Sequence, residues 1–308
     1  MLSHPRIVLS GFTRIVPLST VIVDEASQIE LGDYLPLLGN FGSKIKKLAF
    51  IGDDKQRTFD LTSLSVALTL ALSFSVAPYG QDDLGNLSSI FELAHLHKDA
   101  VFLDTQCKYL LVLVILITEL QSSDRMPKPI GQFISRHVYG GQLKTCHSII
   151  SRQSCRLIDV AKGKEQKSGN SWTNVSEADA VVRIAKQLHE QGKTTRIITP
   201  YDAQRNLLES RLKAASLPWE NKCFNVDSFQ GNEEDHIIIS IVRSEKIGFL
   251  SNMRRTNVML TRCKKSMLIC TSRAFLQHKA KASLIGKLAD EWGDDAWLTW
   301  QDVLAGKF

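Results

Sequence analysis

Apolar and polar positions follow two spacings along this chain, one of period two or continuous and one of helical period. From Ser19 the residues Thr20-Val21-Ile22-Val23 run straight into Asp24 and Glu25, and then into a helix-prone stretch. A strand ending on two carboxylates is predicted there. A second short apolar run, Leu48-Ala49-Phe50-Ile51, closes on Gly52-Asp53-Asp54-Lys55-Gln56. Between Ser151 and Asn174 the pattern is polar, including Lys162 to Trp172, and predicts a surface loop. Ala180, Val181, Ile184, Ala185 and Leu188 then recur at helical spacing. They predict an amphipathic helix capped by Ser176, with Asp179 at the capping-box position. A strand over 196–199, the turn Pro200-Tyr201-Asp202 and a helix bearing Gln204, Leu207, Leu208 and Leu212 follow. The run Ile237 to Val242 predicts a strand buried on both faces, succeeded by a helix-like segment with Arg254, Arg255 and Arg262. Strand, helix and strand in alternation predict an α/β fold with a parallel sheet and covering helices.

Two chemistries suit this layout. Acids at the carboxyl end of a strand lie where doubly wound sheets bind ligands, so Asp24 and Glu25 fall at a crevice. Acids and arginines on either side of one rigid strand suit a phosphate-handling cleft, in which Arg answers developing negative charge. The same pattern fits a parallel strand followed by a solvated, charged helix, and the two carboxylates fit a helix start. Pattern alone leaves these readings open.

Composition narrows the classes. A chain of 308 residues, 44% of them hydrophobic, has room for two α/β domains, each with a core. A net charge of +6 permits a polyanionic partner without requiring one. Six cysteines stand without CxxC spacing, and no Cys/His group has zinc-ligand spacing, which predicts reduced thiols in an intracellular protein of nucleus or cytoplasm. His95 and His97 do not face one way on a helix. The amino terminus shows no secretory signal. Of two largely apolar runs, residues 107–124 hold too short an apolar core to span a bilayer and residues 57–76 are rich in Ser and Thr, so no membrane role is expected. Trp292, Trp297 and Trp300 stand among acids, which predicts a terminal helix packed on the second domain.

Longer strings carry a resemblance. Val226-Asp227-Ser228-Phe229-Gln230-Gly231 before an acidic pair, and Arg254 to Arg262 (RRTNVMLTR), resemble motifs V and VI of superfamily 1 helicases, in the clade of the nonsense-mediated-decay RNA helicase and the Okazaki-fragment helicase-nuclease. Ser19 to Glu30 resembles the Walker B motif, Gly52 to Gln56 motif III, and Ile198 to Gln204 motif IV; Arg125 to Leu143 is similar to the entry into the second domain of that family. The resemblance implies RecA-like P-loop NTPase sheets with helices on both faces, an incomplete first domain over 1–124 and a second over 125–308. It implies ATP with Mg²⁺ as cofactors and single-stranded RNA or DNA, together with helicase-regulating proteins, as partners. By resemblance Asp24 holds Mg²⁺, Glu25 orients or deprotonates the attacking water, Gln56 senses the γ-phosphate, and Arg125 and Arg262 are arginine fingers. Asp227, Gln230 and Gly231 couple nucleotide state to the strand track, and Glu233 approaches the ribose or phosphates. Thr199, Tyr201 and Gln204 lie near the nucleic-acid path. The implied activity is ATP-driven unwinding or translocation, 5′ to 3′.

The chain departs from that family in three places. No Gly-x-x-x-x-Gly-Lys-Ser/Thr string, the phosphate-cradling P-loop, occurs in it. The runs 57–76 and 107–124 interrupt motif spacings and read as short in-frame intron sequence carried into the chain. Asp124 stands where the family has a base-stacking aromatic. These departures predict a chain without ATP turnover of its own; the alternative is a non-catalytic fragment that binds nucleic acid or a protein partner.

Overall fold

The computed structural model describes residues 15, 18–24, 26, 29, 31–53 and 125–308. The chain divides into two compact units, Met1–Phe102 and Leu103–Phe308. Glu25, Gln56 and both interrupting runs lie outside the described residues.

In the first unit, strands β1 (Thr20–Val23) and β2 (Lys47–Phe50) pair in parallel, with Val23 opposite Phe50. Helix α1 (Leu35–Phe41) lies between them in sequence and closes a small core of Val21, Leu37 and Phe41. Asp24 directly follows β1, and Asp53 follows Ile51 beyond β2, so both acids fall at the carboxyl ends of neighbouring parallel strands.

The second unit is built on a six-stranded parallel sheet in the order β10-β3-β9-β8-β6-β7. Its strands are β3 (Cys155–Asp159), β6 (Thr195–Thr199), β7 (Cys223–Asn225), β8 (Glu234–Ser240), β9 (Cys263–Thr271) and β10 (Trp297–Leu298). The antiparallel hairpin β4 (Gln166–Ser168) and β5 (Ser171–Thr173) stands apart from it. Seven helices complete the unit among the described residues: α2 (Lys128–Val138), α3 (Val175–Glu190), α4 (Asp202–Ala214), α5 (Met253–Leu260), α6 (Arg273–Gln277), α7 (Leu284–Trp292) and α8 (Trp300–Leu304).

Alternation along the central strands divides the core into two layers. Ile237, Ile239, Met267 and Ile269 face one layer with Phe133, Met259, Phe275 and Leu288. Ile238, Leu268 and Cys270 face the other with Val181, Ile184, Leu208 and Leu212. Each wholly buried aliphatic side chain contributes roughly 1.5–3 kcal/mol, so a strand with both faces covered must read as a continuous apolar run. That is why Ile237 to Ile239 carries no polar residue.

Three expectations are corrected. The central strand starts at Glu234 and ends at Ser240, so Ile241 and Val242 leave it; Val242 turns back with φ 71°. The long helix opens at Asn174, whose side chain accepts from the Glu177 N–H at 3.2 Å; Ser176 is not its cap, and Asp179 pairs instead with Arg211. The polar stretch 151–174 holds the buried strand β3 and the hairpin rather than a loop alone. The tryptophans also divide: Trp292 ends α7 against Phe133, Trp297 starts the edge strand β10, and Trp300 opens α8 at 44% exposure.

Candidate functional site

Most of the sequence-predicted residues in the second unit gather at the two ends of one strand. Strand β8 has seven residues and is therefore roughly 20 Å long. At its start the loop 226–233 meets the beginning of β9, where the Glu234 N–H donates to the Arg262 carbonyl at 3.1 Å. Gly231 takes φ 80° there, a conformation that glycine adopts without steric cost, and its turn sets Glu233 beside two cations. Glu233 lies 3.5 Å from Arg125 and 3.0 Å from Lys264. Lys264 is thus part of the cluster.

Arg262 sits at the same end, 1% exposed. Its guanidinium donates to the Val258 carbonyl at 2.7 Å, the Thr261 hydroxyl at 3.2 Å and the Asn232 carbonyl at 3.5 Å. These bonds fix the guanidinium against the end of α5 and the loop before β8. The Gln230 side-chain nitrogen is buried there without a hydrogen-bond partner among the described residues. Asp227 turns the other way and accepts a bidentate pair from Arg255, one arm at 3.2 Å, while that guanidinium lies 4.9 Å from the Phe249 ring. A forked Arg–carboxylate pair fixes geometry as well as charge.

At the far end of β8 lies a buried polar network. Glu177, 1% exposed, accepts from the Ser240 hydroxyl at 2.7 Å and from the Val242 N–H at 2.8 Å. Burial pushes its carboxyl up to about 8, and those donors offset only part of the rise. Asn174 donates to the Val242 carbonyl at 3.1 Å, so both polar groups of a strained peptide are held by side chains. A β-branched residue at positive φ is unusual and persists only where its surroundings over-determine it. Next along the chain, Arg243 forms a buried bidentate pair with Glu165 at 3.0 and 2.9 Å. Burial opposes the Glu165 charge, but the N–H groups of Ser244 and Glu245 and the guanidinium outweigh it and hold the carboxyl below its ordinary value.

The residues expected near a strand divide at this end. Tyr201 is half-buried and its hydroxyl accepts from the Phe249 N–H at 3.2 Å. Thr199 is fully buried at the last position of β6. Gln204 departs from the expectation: it is fully buried, and its amide exchanges hydrogen bonds with the Asn174 backbone at 2.8 and 3.1 Å and reaches Ser240 at 3.1 Å. It ties α4 to α3 and β8. Glu177 was legible as a position on the apolar face, three before Ala180; Glu165 and Arg243 had no signal, because their pairing spans 78 residues.

Parallel strands flanked by helices, a charged cluster at the start of the central strand and a polar network at its end define a RecA-like α/β domain of the P-loop NTPase class. A family model described as an AAA domain matches residues 111–274, just over half of the chain. The probable helicase senataxin of Homo sapiens is 30% identical over 82% of this chain and 9% of its own length. The uncharacterized ATP-dependent helicase MJ0104 of Methanocaldococcus jannaschii is 30% identical over 52% of this chain and 27% of its own, and the regulator of nonsense transcripts 1 homolog of Arabidopsis thaliana 33% identical over 49% and 14%. The chain belongs to the superfamily 1 helicases of this AAA-domain family. It spans about a tenth to a quarter of these relatives.

Proposed function

We propose that this chain is the nucleotide- and strand-handling portion of an ATP-driven helicase or translocase acting on single-stranded RNA or DNA in the nucleus or cytoplasm. The observation that carries the reading is the pairing of Arg125 and Lys264 with Glu233 at the start of β8 and β9, with Arg262 bonded to the carbonyl of the preceding residue, Asn232. Three cations on one rigid edge suit a triphosphate, whose charge in a loose transition state lies mostly on its outer oxygens. A single carboxylate after a strand suits Mg²⁺, which keeps water and phosphate oxygens as most of its ligands. Asp24 would hold that ion, and bound Mg²⁺–ATP supplies the phosphoanhydride to be cleaved. Glu25 positions the water and Gln56 senses the phosphate. Arg125 and Arg262 answer the developing charge, and Glu233 orients the ribose or releases its two cations to phosphate. Gln230 and Gly231 link this edge to Asp227, and Tyr201 stands nearest the strand. No described helix is long and apolar enough to cross a membrane.

The test is nucleic-acid-stimulated ATP hydrolysis by the full chain. Arg125→Ala, at a half-exposed position, and Arg262→Ala should each reduce turnover roughly a thousandfold. Turnover indifferent to both substitutions refutes the assignment. A second reading, binding without turnover, is favoured by the lack of a P-loop string within these 308 residues. Salt-sensitive strand binding with no ATP dependence would select it.

A further inference from the structure

The hairpin β4–β5 has no part in the sites described so far. Two strands of three residues have little stability of their own. This hairpin is nevertheless fixed to the sheet at four points. At its base Gly163 is buried so closely that a Cβ would come within 3.0 Å of the Asn174 side chain and of the Val160 carbonyl. Glu165 is locked to Arg243 by the buried pair and accepts from the N–H groups of Ser244 and Glu245 at 2.8 and 2.9 Å. On the second strand, the Ser171 hydroxyl accepts from the Ala203 N–H in the first turn of α4 at 3.2 Å. The Trp172 ring stacks on the Arg243 guanidinium at 4.1 Å.

Three of these anchors belong to the segments that follow β6 and β8, and Val160 follows β3, so the hairpin is held at the carboxyl edge of the parallel sheet, beside Tyr201. Sheets of this kind bind ligands at that edge. Lys162, Lys164 and Lys167 project from the hairpin and its base, all exposed and without an ion-pair partner among the described residues. Nearby acids are engaged: Glu165 by Arg243, and Asp202 by Arg205 and Asn225. Glu245 is followed directly by Lys246 and adds no net negative charge. Three unopposed cations on a fixed arm lose only side-chain entropy on meeting a polyanion. A flexible loop would also lose backbone entropy.

We propose that the β4–β5 hairpin is a basic arm that grips the phosphate backbone of a single-stranded nucleic acid passing the carboxyl ends of β6 and β8. The proposal rests on the helicase reading above and adds a contact surface to it.

The experiment measures binding of the full chain to a fluorescein-labelled oligo(dT) or oligo(U) of about 20 nucleotides, across a range of salt concentrations. One variant carries Lys162→Gln, Lys164→Gln and Lys167→Gln. A control carries Lys279→Gln, Lys281→Gln and Lys287→Gln, which remove the same charge from exposed sites on the α6–α7 segment. Both change surface side chains only, and matching melting curves establish that both fold. The hairpin variant should bind roughly tenfold more weakly near physiological salt, with its log K against log salt slope smaller by about 2. The control should match wild type. Equal losses in the two variants, or no loss in either, overturn the arm while leaving the helicase reading in place. A wild-type chain that binds neither oligonucleotide overturns both.

Discussion

Glu177 makes the second unit sensitive to pH, and the size of the effect follows from its surroundings. The carboxyl is 1% exposed and is raised from an ordinary 4.5 to about 8, chiefly by burial. Its partners Ser240, Val242 and Asn174 are neutral, and the nearby Cys270 thiol is itself pushed far up by burial. The folded chain therefore holds a proton on Glu177 that the unfolded chain has released. The associated stability is fully present below about pH 4.5 and is lost as pH rises through about 8. Each pH unit inside that window is worth about 1.4 kcal/mol, so the whole window amounts to about 5 kcal/mol. Glu177→Gln is neutral at every pH and has no such slope. Urea unfolding followed by tryptophan fluorescence isolates the effect, because all five tryptophans lie between Trp172 and Trp300 in the second unit. Between pH 5 and pH 8 the Gln variant should gain about 4 kcal/mol on wild type. Stability profiles that stay parallel across that range would refute the argument.

Other substitutions test the frame around the site. Glu165→Ala leaves the Arg243 guanidinium buried without its carboxylate and should cost about 3–5 kcal/mol in the same urea assay; a loss below about 1 kcal/mol would mean that the pair is not buried in solution. Asn174→Ala removes a helix cap and the bond to the Val242 carbonyl, for an expected loss of about 2 kcal/mol, read as a lowered melting temperature. Gly231→Ala forces a side chain onto φ 80°, at a cost of about 1 kcal/mol or more. If its nucleotide affinity stays unchanged, the turn does not position Glu233 for the role proposed.

Much of this protein was written in local pattern. Buried parallel strands require unbroken apolar runs, so Ile237 to Ile239 was legible, as was the helix built on Ala180, Val181, Ile184 and Leu188; the run Val21 to Val23 marked β1, although only Val21 is buried there and Ile22 is 64% exposed. Strings such as VDSFQG and RRTNVMLTR marked the family, because backbone turns and Arg forks need particular residues at particular offsets. Tertiary structure decided what those residues touch. The expected central strand stops at Ser240 because Asn174 and Glu177, more than 60 positions earlier, take both polar groups of Val242. Gln204 became an interior clamp because β8 and the start of α3 converge on it. The basic stretch after Val160 read as a loop because its two strands are too short to show a period. Only the buried pair of Glu165 with Arg243 turns it into a fixed arm. Local spacing encodes which face of an element is apolar; which polar groups share the space behind that face depends on chain closure over long separations, and there the physical cost of an unpaired buried charge selects the partner.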